Sequence, residues 1–392
     1  MTVPAPQGAR RPSAAGRVLP LLLLVGLLAP LALLFAQSWR LTADDRDLAA
    51  RERLGVEYLR ALAPVTDALV DAQSAAVAAR PVAGAPLTRA VEAAASVDAR
   101  IGDELRSRER WAGLRAKIEA LGDRVPADPE AAFDAYGEVT DLLLELHRKV
   151  RETSGLVRDP RSDSFFLQDG AGRDLPEAVV ATGRLADLTV LAARRPAAER
   201  DRTAAELAAL RVAALAPAGD LVTDLRAAVD SSESADLGPN VLTPLDTYQR
   251  AVEALAAHSA PAGRSGVVDP AQVAGARLDA QAAARQLQPV ILGELDALLA
   301  ERAGGLGRDR WLTVVAGALA VLLWGALGAV WLAAARRARR RAAESRRERE
   351  GSDTPPEEAP WQPPSHGEPR RLQPVGPVRE PGAHWGPHDA PR

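Results

Sequence analysis

The sequence contains no cysteine, which excludes disulfides, thiol chemistry and cysteine metal sites and leaves packing alone to hold the fold. Aromatics make up only 4%, and Lys+Arg number 49 against Asp+Glu 52. With no basic excess and few rings for stacking, nucleic acid is not an expected partner. The five histidines, His147, His258, His366, His384 and His388, form no Glu-flanked pair at helical spacing, so no metal site is expected. Gly304, Gly305 and Gly307 have neither the preceding strand nor the lysine of a phosphate loop. No catalytic residue and no cofactor are therefore assigned, and an enzyme is not expected.

Charge is also missing from two long stretches. Residues 18–36 and 311–335 are apolar and uncharged, each long enough to cross a bilayer of about 30 Å at about 1.5 Å per residue. Arg10, Arg11 and Arg17 precede the first, and Arg336, Arg337, Arg339, Arg340, Arg341, Arg346 and Arg347 follow the second. The positive-inside rule then puts both termini in the cytoplasm and everything between the runs outside. Trp39, Trp311 and Trp331 fall where indoles favour the membrane interfaces. A cleaved signal peptide is the competing reading of the first run, but the run exceeds a usual h-region, and Leu34 stands where cleavage at Ala36 needs a small residue. The basic cluster after the second run also suits anionic lipid.

Between the runs the pattern is helical. Apolar residues recur at three- and four-residue steps at Leu54, Tyr58, Leu62, Val65 and Leu69, at Tyr136, Val139, Leu143, Leu146 and Val150, and at Ile291, Leu295 and Leu298. Pro- or Gly-bearing breaks fall near 80–86, 125–129, 159–160, 195–196, 237–239 and 259–270. The expected fold is all-α, with about seven helices forming an elongated bundle or two stacked four-helix bundles, the first and last helices running on from the spans.

One stretch interrupts this pattern with charge, RDPRSDSFFLQDG from Arg158 to Gly170. Pro160 disfavours helix at Asp159, so the preceding helix is expected to end near Arg158. Ser162 or Asp163 would cap the next helix, and Phe165 and Phe166 would begin its buried face. A functional reading of the same residues gathers Arg158, Asp159, Arg161, Asp163 and Ser164 around helix-start amides as a site for a small anion such as a carboxylate.

The segment SGLVRDPRSDSFFLQDGAGRDLPEAVVATGRLADL resembles the Asp-Pro-Asp, Asp-Ser-Tyr-Tyr, Leu-Pro-Glu pattern of the extracytoplasmic helical sensor domains of bacterial chemoreceptors, histidine kinases and diguanylate cyclases. ERLGVEYLRALAPVTDAL resembles the stretch that precedes it there. On this resemblance Glu57, Tyr58, Pro160, Phe165 and Phe166 are structural motif positions. Two departures stand out: Gln73, Ser74 and Ala75 occupy the place of a frequent His-Arg-Gly, and Arg161 replaces an acidic residue. Together with the apolar runs, the basic flanks and the Pro-rich end, the expected organisation is a cytoplasmic N-terminus (1–17), a first span (18–36), an extracytoplasmic sensor-like domain (37–310), a second span (311–335), a basic juxtamembrane segment (336–350) and a disordered Pro-rich cytoplasmic tail (351–392).

The tail is too short and too rich in Pro and Gly for a transmitter domain. The expected function is a receptor-like sensor subunit that binds a small ligand or an envelope protein and signals through a separate partner. The alternative is a non-sensing envelope scaffold or spacer that keeps a sensor fold. The long seams, with the small pair Gly325 and Ala329 in the second span, suit a homodimer or a heterodimer with a full-length receptor. Gly304, Gly305 and Gly307 would soften the junction into that span.

Overall fold

The computed structural model describes residues 15–123, 126–157, 162–260 and 268–350. The N-terminal residues 1–14, the tail expected over 351–392, and Arg158, Asp159, Pro160 and Arg161 lie outside the described residues. Among those described there are nine α-helices and no strand: α1 (Ala15–Val77), α2 (Gly84–Ile101), α3 (Arg108–Asp123), α4 (Pro129–Ser154), α5 (Ser162–Asp169), α6 (Leu175–Arg194), α7 (Arg200–Ser231), α8 (Leu237–His258) and α9 (Pro270–Glu350). A π-turn, Gly170–Asp174, joins α5 to α6. The all-α expectation is met. Residues 1–321 form one compact unit, and 322–392 form a second, which contains the end of α9.

The helices of the first unit alternate in direction. Arg110 and Lys117 of α3 face Glu145 and Glu138 of α4. Arg211 of α7 donates to the Ala256 carbonyl near the end of α8, while Asn240 at the start of α8 donates to Glu294 of α9. Helices α2 and α4 pack on α1, α3 packs on α4, and α6 joins this group to α7, on which α8 packs. Side chains from all nine α-helices make one contiguous core, and a small satellite of Ala186, Leu255, Val273 and Ala276 closes the far end. Of the two expected arrangements, an elongated bundle or two stacked ones, the single main core fits the first.

Helices α1 and α9 share one antiparallel register. Asp71 meets Arg277 at 3.0 Å, the Leu292 carbonyl accepts from Arg60, and Asp296 meets Arg53 at 2.9 Å. The register continues into the apolar runs, where the Arg310 guanidinium lies 4.1 Å over the Trp39 ring and Phe35 packs against Gly317. From Asp71 to Phe35 this seam runs for about 54 Å at 1.5 Å per residue. The helix α9 is long and apolar enough to cross a membrane, and no residue in its most apolar window is buried. For the first run, most side chains between Ala15 and Leu31 lie outside the described residues.

The helix count exceeds seven because two breaks carry no proline. The first separates α2 from α3. Buried Asp98 accepts from the Tyr58 hydroxyl at 2.8 Å and from the Ser107 hydroxyl at 3.0 Å, and Arg106 takes φ 51°. Burial and Asp98 push the Tyr58 phenol upward, so it stays a neutral donor. Tyr58→Phe should therefore cost about 1–3 kcal/mol, measured by chemical denaturation, because Asp98 stays buried with one donor fewer. The second extra break is the π-turn.

Two boundaries also move. Helix α4 ends at Ser154 instead of near Arg158, because Gly155 adopts φ 94° and caps it in the left-handed conformation; Pro160 comes too late to be the terminator. Its start follows expectation, with Asp128 accepting from the Ala131 amide ahead of Pro129. Helix α8 begins at Leu237, so Gly238 and Pro239 lie in its first turn, where a missing N–H has no intrahelical partner to lose. Helix α9 passes unbroken through Gly304, Gly305 and Gly307. A penalty of about 1 kcal/mol per glycine does not interrupt so long a propagating helix.

Candidate functional site

Of the residues singled out from sequence, Arg158, Asp159, Pro160 and Arg161 lie outside the described residues, as does the side chain of Asp163. Ser164 is buried in α5. Phe165 and Phe166 meet edge to face at 5.6 Å, but both are only half-buried. The inward face of α5 is instead Ser164, Leu167 and Gln168, continued by Ala171, the three- and four-residue steps that leave the two rings on its flank. Glu57 lies near the surface, paired with Arg100 of α2 at 2.6 Å, while Tyr58 ties α1 to the α2–α3 turn. Gln73 is buried and donates to Asp187 of α6 at 3.0 Å.

The densest buried chemistry brackets the charged stretch, with Arg151 before it, Asp169 near its end and Arg173 and Asp174 after it. Helix α4 carries Thr140, His147, Arg151 and Ser154 on its buried face. Arg151 crosses to the π-turn and bonds Asp169, with its aliphatic stem against Gly172. A Cβ at that position would sit 2.6 Å from Arg151 Cδ, so only glycine admits the arginine. Arg173 bridges the other Asp169 oxygen at 3.0 Å and Asp174 at 2.9 Å. The extra residue of a π-turn widens the helix locally and sets Gly172 and Arg173 beside the ion cluster, while Gly170 faces Leu221 and Leu225 of α7.

The electrostatics follow from burial. Asp174 is pushed up to about 7 by desolvation, reinforced by Asp224 of α7 and Asp169 and opposed by Arg173. Burial and Asp169 raise Asp224 as well. The two carboxyls share a site that favours one proton between them. Tyr248, fully buried in α8, is raised by burial and by the field of Asp174. His147 is pushed down to about 3 by burial and by Arg151. It is neutral at any physiological pH and is no proton switch, although Thr66 lies 3.3 Å from its Nε2.

A cavity of about 90 Å³ opens beside the cluster, bordered by His147, Arg148, Arg151, Arg173 and Glu177. Arg151 Nε and His147 Nδ1, both buried, have no hydrogen-bond partner among the described residues, and the cavity supplies the polar lining that accommodates water. Organic ligands need about 300 Å³ or more. The arrangement is therefore an ionic latch that fixes α4, the π-turn, α6 and α7 to one another. Only the clue of an arginine and a histidine on an otherwise apolar seam, Leu143, Leu146, His147, Val150 and Arg151, announces it in sequence. Among the described residues no three His, Asp or Glu side chains converge as metal ligands.

Compared with known proteins, the chain matches no family model, no curated protein and no solved structure.

Proposed function

We propose that this chain is a receptor-like sensor subunit. Two antiparallel spans anchor it with both termini cytoplasmic, and its exported helical bundle receives a small molecule or an envelope protein and passes the signal to a separate partner. The observation that carries this reading is the shared register of α1 and α9. The two helices that would enter the bilayer are the same two that cross the bundle, in side-chain contact from Asp71–Arg277 to Phe35–Gly317. A change in their packing inside the bundle is then mechanically continuous with the spans, as helix-shift signalling requires.

Several features support the anchoring. No residue in the most apolar window of α9 is buried, Trp39 and Arg310 meet where both apolar runs begin, and the basic flanks give the orientation. The unbroken passage of α9 through its three glycines favours transmission over a slack joint. Gly325 faces open space, leaving the small-residue face of the second span free to pair with a second copy or with a full-length receptor. The family resemblance points the same way.

Topology is read by reporter fusions. Fusions after Arg40 and near Ser265 are expected to report the outside, and fusions after Arg341 the cytoplasm. An outside signal at Arg341 would overturn the reading.

A further inference from the structure

One cavity in the bundle belongs neither to the ionic latch nor to the Asp-Pro stretch. A groove of about 620 Å³ runs between α1, α2 and α9, within the 300–1,000 Å³ span of small-molecule sites. Its walls are mainly aliphatic. Both long helices carry an interior proline there, Pro64 and Pro289, and Ala68 and Ala93 line the groove without filling it. The charged side chains that border it are Arg60, Arg89 and Arg285 with Asp67 and Asp71.

The two signs are not equally occupied. Asp71 takes Arg277 at 3.0 Å and Arg285 at 3.9 Å, and Asp67 accepts from Gln281 at 3.2 Å. Arg60 bonds only the Leu292 carbonyl, at 3.4 Å, and Arg89 only the Ala85 carbonyl one turn back, at 3.3 Å. Neither arginine has a carboxylate partner among the described residues. The groove thus offers an apolar floor and uncompensated guanidinium donors at its rim, complementary to an anion with an apolar body.

Position separates a soluble ligand from a lipid. Arg60 lies 24 residues beyond the apolar run that ends at Ala36, about 36 Å along α1, out of reach of headgroups at the surface of the proposed bilayer. We propose that this groove binds a soluble organic carboxylate with a compact apolar body, its charged end held by Arg60 or Arg89 at the rim. The inference rests on the sensor reading for its physiological sense, since a ligand there touches α1 and α9 together, but not for its test.

The test uses the full-length chain in nanodiscs, with benzoate, phenylacetate and cyclohexanecarboxylate set against their neutral amides and against acetate and phosphate. The three apolar carboxylates are expected to raise Tm with dose, as ligands that bind only the native state do. The amides should bind about tenfold or more weakly, because a hydrogen bond to a charged partner is worth about that factor. At least one of Arg60→Gln and Arg89→Gln should weaken the carboxylates by a similar factor with little change in the unliganded Tm, since both side chains are exposed. Ala93→Phe, at another exposed position, should block every apolar carboxylate while leaving charge intact. The proposal is overturned if no apolar carboxylate shifts the parent, if acetate or phosphate does as well, if amides bind equally, or if all three variants bind like the parent. Fusion topology is read independently. A two-span chain that takes no carboxylate here rejects the groove and leaves the anchored-sensor reading standing.

Discussion

Replacing Arg151 by Met is expected to destabilise the protein by about 3 kcal/mol. Removing one member of a buried ion pair costs about 3–5 kcal/mol because the remaining charge is stranded without its partner. The lower figure applies because Asp169 keeps Arg173 on its second oxygen. Methionine preserves most of the stem that lies against Gly172, so the loss reports charge more than packing. Chemical denaturation of the single variant, of Asp169→Asn and of the double variant separates the two contributions. The double variant should recover a large part of the loss, since a neutral pair of similar volume carries no stranded charge. A cost near zero for Arg151→Met would mean that the latch does not hold the four elements together.

Asp174→Asn should act in the opposite direction, and only above mildly acidic pH. In the folded protein Asp174 is raised to about 7, against an ordinary value of about 3.9. Between those limits the folded state holds a proton that the unfolded state has released, so stability falls as pH rises through this window. The contribution is fully present below about pH 4 and lost above about pH 7. Asp67 and Asp187, each raised to about 6 mainly by burial, add to the same slope. Asparagine keeps the acceptor toward Arg173 and an uncharged donor toward Asp224 at every pH. Thermal unfolding of the parent should thus show Tm decreasing from pH 5 to pH 8, with a visibly flatter decrease for Asp174→Asn. The variant should match the parent near pH 5 and exceed it at pH 8. Equal slopes would place the proton elsewhere.

Much of the fold was legible because apolar periodicity and proline punctuation report local backbone preference. The seam from Tyr136 to Val150 is buried throughout, and the breaks at 80–86, 125–129, 195–196 and 259–270 all separate helices. What escaped depends on tertiary partners. The α2–α3 turn is tied by Asp98 to a tyrosine 40 residues earlier, and nothing local to GDELRS signals that knot. The π-turn requires Arg151 to arrive from another helix. Gly155 marks the end of α4 in the sequence, but the more conspicuous proline five residues on overshadows it. The candidate site drew attention to the charged Asp-Pro stretch because it interrupts a helical pattern, whereas the latch residues Arg151, Asp169, Arg173 and Asp174 sit within or beside helices and do not interrupt it. The groove could not be read at all, since its walls come from helices separated by some two hundred positions and meet only through the α1–α9 register.

The alternation of helix direction has a consequence of parity. With α5, the π-turn and α6 counted as a single pass, the described chain traverses the bundle eight times, an even number that returns it to the end from which it set out. Losing or duplicating one helix would deliver the carboxy-terminal apolar run to the wrong side, whereas losing or duplicating a hairpin would not. Length variation compatible with this architecture therefore comes in pairs of helices. Foreign segments are best accommodated at the turns remote from the apolar runs, such as those around Val82 and Pro196, where an added domain leaves the number of crossings unchanged.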